Sequence, residues 1–360
     1  MSVSNTDTST TQPAGFPDHR LRVAIHTAET RSDLSNLAAA ALPEVQQQLH
    51  ACGLDAVACA RRITAIVDQL TQRFITFAED ALGPAPGAWA WLAAGSQGRG
   101  EQTAYTDQDN ALIHADGIDA QAATWFQRLA SQVGADLDAA GIPTCSGGVA
   151  ADQPDWSGDC TTWRQRLLDS VTITDTPAVM RTAQYFDLRV VYGDATLFDP
   201  LRAAAIARAS THQRYLYLNA ENLHRGRRSI GLLGSWPRVR SGPHRGRISL
   251  KQSGLIPISQ LAQRLALRGQ LTARHTIDRL EAAATAGIID SRSANDLICA
   301  YRLIVQLRLE TLIQQQAQQQ ALSNHIDPST LSPLLRKVLR AALATVHAQR
   351  NALRLASRAD

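Results

Sequence analysis

The stretch GSQGRGEQTAYTDQD, residues 95–109, combines residue types whose spacing suits phosphate chemistry. Gly95 and Ser96 follow the apolar run AWAWLAA, and glycine lets a backbone come close to a phosphate. Free N–H groups in such a turn, together with the serine hydroxyl, can hold phosphate oxygens. Arg99 adds a guanidinium able to neutralise the same group. Glu101 either orients Arg99 through an ion pair or faces solvent.

Ten residues separate Ser96 from Asp107, and Asp109 stands two further on at the start of the run NALIHA. If that run is a strand, both carboxylates point to one face. Such a pair forms a hard oxygen site suited to Mg²⁺ shared with nucleotide phosphates. Two ions held there could stabilise the entering and leaving oxygens of an in-line displacement at phosphorus. Asp-x-Asp alone is common in surface turns; the Gly-Ser turn ahead of it makes the pattern specific.

The surrounding elements must position these groups. A helix is expected from Ser32 to Gly53, kinked or divided at Pro43, and a second from Asp55 to Leu82, ended by GPAPG. AWAWLAA and DNALIHA read as strands, 119–140 as a helix, GIPTC as a strand edge and 146–159 as a loop. A helix at 161–171 and a strand QYFDLRVVYGD complete an alternating α/β core over about 89–201. Beyond it, helices at 257–268, 274–286, 290–320 and 327–357 suggest a bundle.

The hydrophobic share of 44% and charged share of 19% are globular, and a net charge of +4 neither demands nor excludes nucleic acid. The basic residues bunch between Arg225 and Lys251, including Arg227, Arg228, Arg238, Arg240 and Arg245, with Trp236 as their aromatic companion. Such a run could grip RNA or an acidic protein, but more often it is a solvated linker or a patch neutralising a neighbouring phosphate site. Five cysteines without a CxxC spacing suggest neither a disulfide framework nor a zinc site. No signal-like or membrane-spanning run is evident, so the expected compartment is the cytoplasm.

Gly-Ser, a spacer and Asp-x-Asp resemble the signature of the DNA polymerase β-type nucleotidyltransferase superfamily. More narrowly, WLAAGSQGRGEQTAYTDQDNALI resembles the nucleotidyltransferase family related to the amino-terminal domain of protein-PII uridylyltransferase. FDLRVVYGD at 186–194, SLKQSGLIPISQLAQRLAL at 249–267 and the segments LRLETLIQQQ and HIDPSTLSPLLRKVL continue the likeness over about 35–355. It implies that Gly95 and Ser96 form the phosphate-binding turn and that Asp107 and Asp109 bind metal. It further implies a third carboxylate, assigned to Asp187 in the YFDLR run, which completes a metal site or deprotonates the acceptor. Asp152, Asp155 and Asp159 are alternatives for that part. Arg189, two residues beyond Asp187, is expected to share its face and touch phosphate.

Two positions depart from the family pattern: Asp152-Gln153-Pro154 where an Asn-Pro is frequent, and Ser249 where an acidic residue is frequent. The cyclic-nucleotide-binding and CBS domains of many relatives are not expected here.

The expected fold is an α/β nucleotidyltransferase core of polymerase β-like type, with added amino-terminal helices and an all-helical carboxy-terminal domain. Its divisions are a flexible tail at 1–30, a helical segment at 31–85, the nucleotidyltransferase domain at 86–205, a helix and basic linker at 206–250, and the helical domain at 251–360. The expected activity is Mg²⁺-dependent transfer of a nucleoside monophosphate from an NTP to a hydroxyl. By resemblance the acceptor is a protein side chain, as in PII uridylylation. The alternative is a non-catalytic nucleotide-sensing module that signals to a regulatory partner.

Overall fold

A computed structural model describes residues 16–145, 147–172, 183–225, 229–230 and 235–359. Three helices open the described chain: α1 (Asp18–Thr27), α2 (Arg31–Ala51) and α3 (Ala56–Leu82). The α1 helix falls where the sequence suggests only a tail. It buries Leu21 and Ile25, one turn apart, and its buried Asp18 meets Arg62 of α3 at 3.1 Å. The α2 helix starts from a Thr30 cap, not Ser32, and runs unbroken through Pro43. Burial of Ala38, Leu42, Val45 and Leu49 along one face outweighs the backbone hydrogen bond that proline forfeits. Asp55 caps α3 by accepting from Ala58 N at 2.8 Å, and Gly83 ends it at a φ of +84°.

The sheet has four strands, β1 (Trp89–Ala93), β2 (Asn110–His114), β3 (Ser157–Asp159) and β4 (Arg189–Gly193), in the order β3-β2-β1-β4. β1 is antiparallel to both neighbours, pairing Ala93 with Asn110 on one side and Arg189 on the other, while β2 and β3 run parallel. Every residue of β1 is buried, because helices cover both faces of the sheet. Trp89, Trp91 and Ala93 pack with α2, α3 and α5 (Ala120–Ala139). Ala90 and Leu92 pack with Trp163 of α6 (Cys160–Thr172) and with Phe186 and Phe198.

Two expectations in this core change. The stretch expected as a loop to Asp159 ends in the edge strand β3, and the last strand begins only at Arg189, leaving Asp187 in the turn before it. GIPTC contributes a single bridge, between Thr144 and Gln108.

The carboxy-terminal half comprises α7 (Asp199–Thr211), α8 (Gln213–Arg225), α9 (Ile256–Arg268), α10 (Thr276–Thr285), α11 (Ser291–Ala317) and α12 (Pro333–Ala359). It is not purely helical: β5 (Ile248–Ser249) pairs with β6 (His325–Ile326). A π-helical turn, Lys251–Leu255, links that pair to α9. The larger apolar cluster is continuous from Leu21 through Ile63 and Trp91 to Leu343, so the amino-terminal helices, one sheet face and the carboxy-terminal helices share it. In the basic stretch, Arg340 of α12 stacks over Trp236 at 4.7 Å, and Arg238 donates to the carbonyl of Gly246. Arg227 and Arg228 lie outside the described residues. No helix among the described residues is long and apolar enough to cross a membrane.

Candidate functional site

β1 delivers the chain to Ala94, whose N–H donates to the carbonyl of Asp109 at 2.8 Å, and the chain then coils into α4 (Gly95–Arg99). Gly95 has a φ of +55°, which glycine adopts without strain, and the Asp109 carboxylate lies against it. Gly98 serves a second close approach, since a β-carbon there would fall 2.2 Å from the carbonyl oxygen of Asp187. The two glycines thus let the turn sit between the Asp109 side chain and the Asp187 backbone.

The Asp-x-Asp segment alternates, with Gln108 and Asn110 buried and Asp107 and Asp109 half-buried. Gln108 Nε2 donates to the carbonyls of Gly134 (3.0 Å) and Ile142 (3.1 Å), and Asn110 donates to Gln108 Oε1 (2.8 Å) and accepts from Ala151 N (2.6 Å). These inward amides pin the strand, so both carboxylates project from its opposite side.

They project into a cavity of about 220 Å³. Gly95, Ser96, Arg99, Asp107, Asp109 and Asp187 line it together. The far wall comes from the carboxy-terminal half: Lys251 of the π-turn, then Ile256, Ser259, Gln260 and Gln263 along one face of α9. Glu101 and Arg189 are not in the lining. Arg189, expected to touch phosphate, instead donates to Asp68 of α3 at 2.8 Å and to the carbonyl of Gln97 at 3.1 Å, buttressing α4 from behind. The alternative acids do not reach the cavity either; Asp159, for one, caps α6 by accepting from Thr162 N at 2.7 Å.

Asp187 sits in a different environment from the Asp-x-Asp pair. Its Oδ2 meets Arg99 at 2.5 Å, and its Oδ1 meets Arg279 of α10 at 2.7 Å and Gln263 at 2.8 Å. Arg99 also pairs with Glu101 at 2.7 Å, and Glu101 accepts from Thr276 N, at the start of α10, at 2.7 Å. Burial opposes ionisation of Asp187 and Glu101, but the guanidiniums outweigh it and hold both carboxyls below their ordinary range. Burial likewise opposes the charge on Arg99, and its two carboxylates overcome it and raise its pKa.

Asp187, expected to complete a metal site or deprotonate the acceptor, has both its oxygens committed to cations in this geometry. Among the described residues no three acidic, His or Cys side chains converge as a metal-ligand group. Asp107 and Asp109, by contrast, have no ion-pair partner among the described residues. Burial pushes the Asp109 carboxyl up, against a hydrogen bond with Cys145 and the positive field of Lys251, while Asp107 pushes it up further. Two carboxylates with hard oxygens and no ion-pair partner among the described residues fit a divalent cation such as Mg²⁺.

The profile of the family described as Putative nucleotidyltransferase DUF294 matches residues 40–177. A companion profile, described as Putative nucleotidyltransferase substrate binding domain, matches residues 213–356. The chain belongs to this nucleotidyltransferase family. No curated protein matches it. The cavity lies between the two matched regions: the nucleotidyltransferase region supplies Gly95, Ser96, Asp107 and Asp109, and the substrate-binding region supplies Lys251 and the α9 face.

Several residues that line or brace this cavity carry little local signal in the sequence. Lys251 was visible only as the last of a basic run. Ile256, Ser259, Gln260 and Gln263 follow a 3,4-spaced helical pattern that does mark a single face. Arg279 gave no signal, since nothing local ties it to Asp187.

Proposed function

We propose that the chain transfers a nucleoside monophosphate from an NTP to a hydroxyl acceptor. The observation that carries this reading is the convergence of the Gly95–Ser96 turn with the Asp107–Asp109 pair in one cavity. Ser96, whose hydroxyl has no protein partner among the described residues, would hold a phosphate oxygen beside the Gly95 backbone. Asp107 and Asp109 would hold Mg²⁺, one ion or two, which supplies charge stabilisation at the phosphoryl group being transferred. The Arg99–Asp187–Arg279 network fixes α4 relative to α10 and so keeps the turn and the acids in register. A strand ending at a Gly-Ser turn, with the acids leading into its antiparallel neighbour, supports the polymerase β-like reading of the core. The likeness to the PII uridylyltransferase domain supports a protein hydroxyl as acceptor.

The test is incubation of the purified chain with Mg²⁺ and each α-³²P-labelled NTP, alone and with cell lysate, beside an Asp107→Ala/Asp109→Ala double variant. Label passing to an acceptor with the wild type and not with the variant supports transfer. A second reading, a nucleotide sensor, is favoured by one observation: Asp187, the candidate third acid, is held in two ion pairs. Saturable, Mg²⁺-dependent nucleotide binding with no transfer under any condition would select it.

A further inference from the structure

The cavity holds two cations of different standing. Arg99 is tied to Glu101 and Asp187 at 2.7 and 2.5 Å, so its charge is already spent on buried carboxylates. Lys251 lines the same cavity, and its side chain makes no hydrogen bond or ion pair among the described residues, although its positive field reaches Asp109. Its backbone is held on both sides. Leu250 N donates to Asn324 O at 2.9 Å, and Gln252 N donates to the Ser249 hydroxyl at 3.2 Å. Gly254, in the same turn, packs so closely on α11 that a β-carbon would lie 2.7 Å from Ile304 Cδ1. Residues 251–255 form a π-turn, a wider coil that is rare in proteins and frequent at functional sites. The turn thus presents an ammonium to the cavity that the Gly95 turn and the two acids also line.

We propose that Lys251 is the cation that grips the β- and γ-phosphates of the NTP, and that Arg99 is a strut that does not bind phosphate. The proposal rests on the nucleotidyl-transfer reading above. In that reaction the acceptor oxygen bonds to the α-phosphorus, the α–β bridging P–O bond breaks, pyrophosphate departs with the bond's electrons, and the hydroxyl proton passes to solvent. A triphosphate brings several negative charges beside Asp107 and Asp109, and a point-charge ammonium on the opposite wall offsets them where the leaving group collects charge. Lys251 belongs to the substrate-binding region and the turn to the nucleotidyltransferase region, so the triphosphate would bridge both.

The test is calorimetric titration of the full chain with Mg²⁺ and, in turn, pyrophosphate, ATP, UTP, AMP and UMP, for wild type, Lys251→Ala and Lys251→Arg. Lys251→Ala is expected to weaken pyrophosphate and the preferred NTP by roughly 10- to 100-fold, the usual worth of a charged hydrogen bond. The matching NMP should change less than about twofold and the melting temperature should hold, while Lys251→Arg recovers most of the loss. Equal loss of NMP and NTP, or no loss of either, overturns the proposal, as does a wild type that binds neither NTP nor pyrophosphate. A wild type that binds NTP without transferring label defeats the transfer reading, and the NTP-to-NMP ratio in Lys251→Ala still decides the part played by Lys251.

Discussion

The carboxylate of Asp109 occupies the space that a side chain on Gly95 would need: a β-carbon there would lie 2.2 Å from Asp109 Oδ2, at a backbone φ of +55°. Gly95→Ala must therefore displace either the turn or the acid by about 1 Å, a shift that can cost roughly a hundredfold in rate. The backbone contribution to stability is smaller, about 1 kcal/mol for alanine in a left-handed conformation. Label-transfer rates should fall steeply in this variant while its urea midpoint moves little. A wild-type rate in Gly95→Ala would show that Asp109 need not stay where it is.

Asp109 itself should be a stability liability. Burial, first among its influences, raises its folded pKa above the ordinary 3.8. An acid so raised binds its proton more tightly when folded, so its penalty is absent below the unfolded pKa. The penalty grows as pH climbs through the folded value and is complete above it. Asp109→Asn should therefore melt higher than wild type at pH 7 in EDTA, by about 2–4 °C for each kcal/mol relieved. The two should converge below about pH 4, close to the unfolded pKa. The same variant should lose label transfer. Calorimetric scans across pH would check it, and a lower melting point at pH 7 would contradict it.

Pro43 lies inside α2, where the sequence suggests a kink or a division. Its ring removes one i→i−4 hydrogen bond and crowds the preceding turn, at an intrinsic cost of about 3 kcal/mol that part of the packing offsets. Pro43→Ala should raise the unfolding free energy by about 1–2 kcal/mol, measured by urea denaturation, with no change in nucleotide binding. A drop would mean that the helix is bent at Pro43 and that its packing depends on the bend.

What could be read from residues alone was local. Asp55 and Asp119 announce α3 and α5 because a cap acts within three residues, and both accept the expected N–H. Trp89–Ala93 and Asn110–His114 declare themselves as short apolar runs, and the Gly-Ser and Asp-x-Asp groups flanking them meet because those strands pair antiparallel. The strands Ile248–Ser249 and His325–Ile326 are too short to show alternation. The ion pairs of Asp187 and the reach of Lys251 depend on how α9, α10 and the π-turn dock, which no local pattern encodes. Arg189 looked like a phosphate ligand by strand parity, yet Asp68, on a helix far away in sequence, claims it.

The buried network joining Glu101, Arg99, Asp187 and Arg279 should make the fold acid-sensitive. Glu101 and Asp187 have ordinary values of 4.5 and 3.8, and their cationic partners overcome burial to hold both lower in the folded state. A depressed folded pKa contributes stability that is complete above the unfolded value, here above about pH 4.5. That contribution drains away as pH falls through the folded values. Arg279, 1% exposed, has its guanidinium against Asp187 at 2.7 Å, and removing one partner of such a pair costs about 3–5 kcal/mol. Arg99 stays beside Asp187 in Arg279→Met, so the lower end of that range is expected at pH 7. The deficit should shrink as pH falls, because Asp187 loses one of its two cations in Arg279→Met and takes up its proton before the wild type does. Urea denaturation of wild type and Arg279→Met at pH 7 and pH 3.5 tests this, and a deficit that stays constant across that interval would show that Arg279 acts through packing instead of charge.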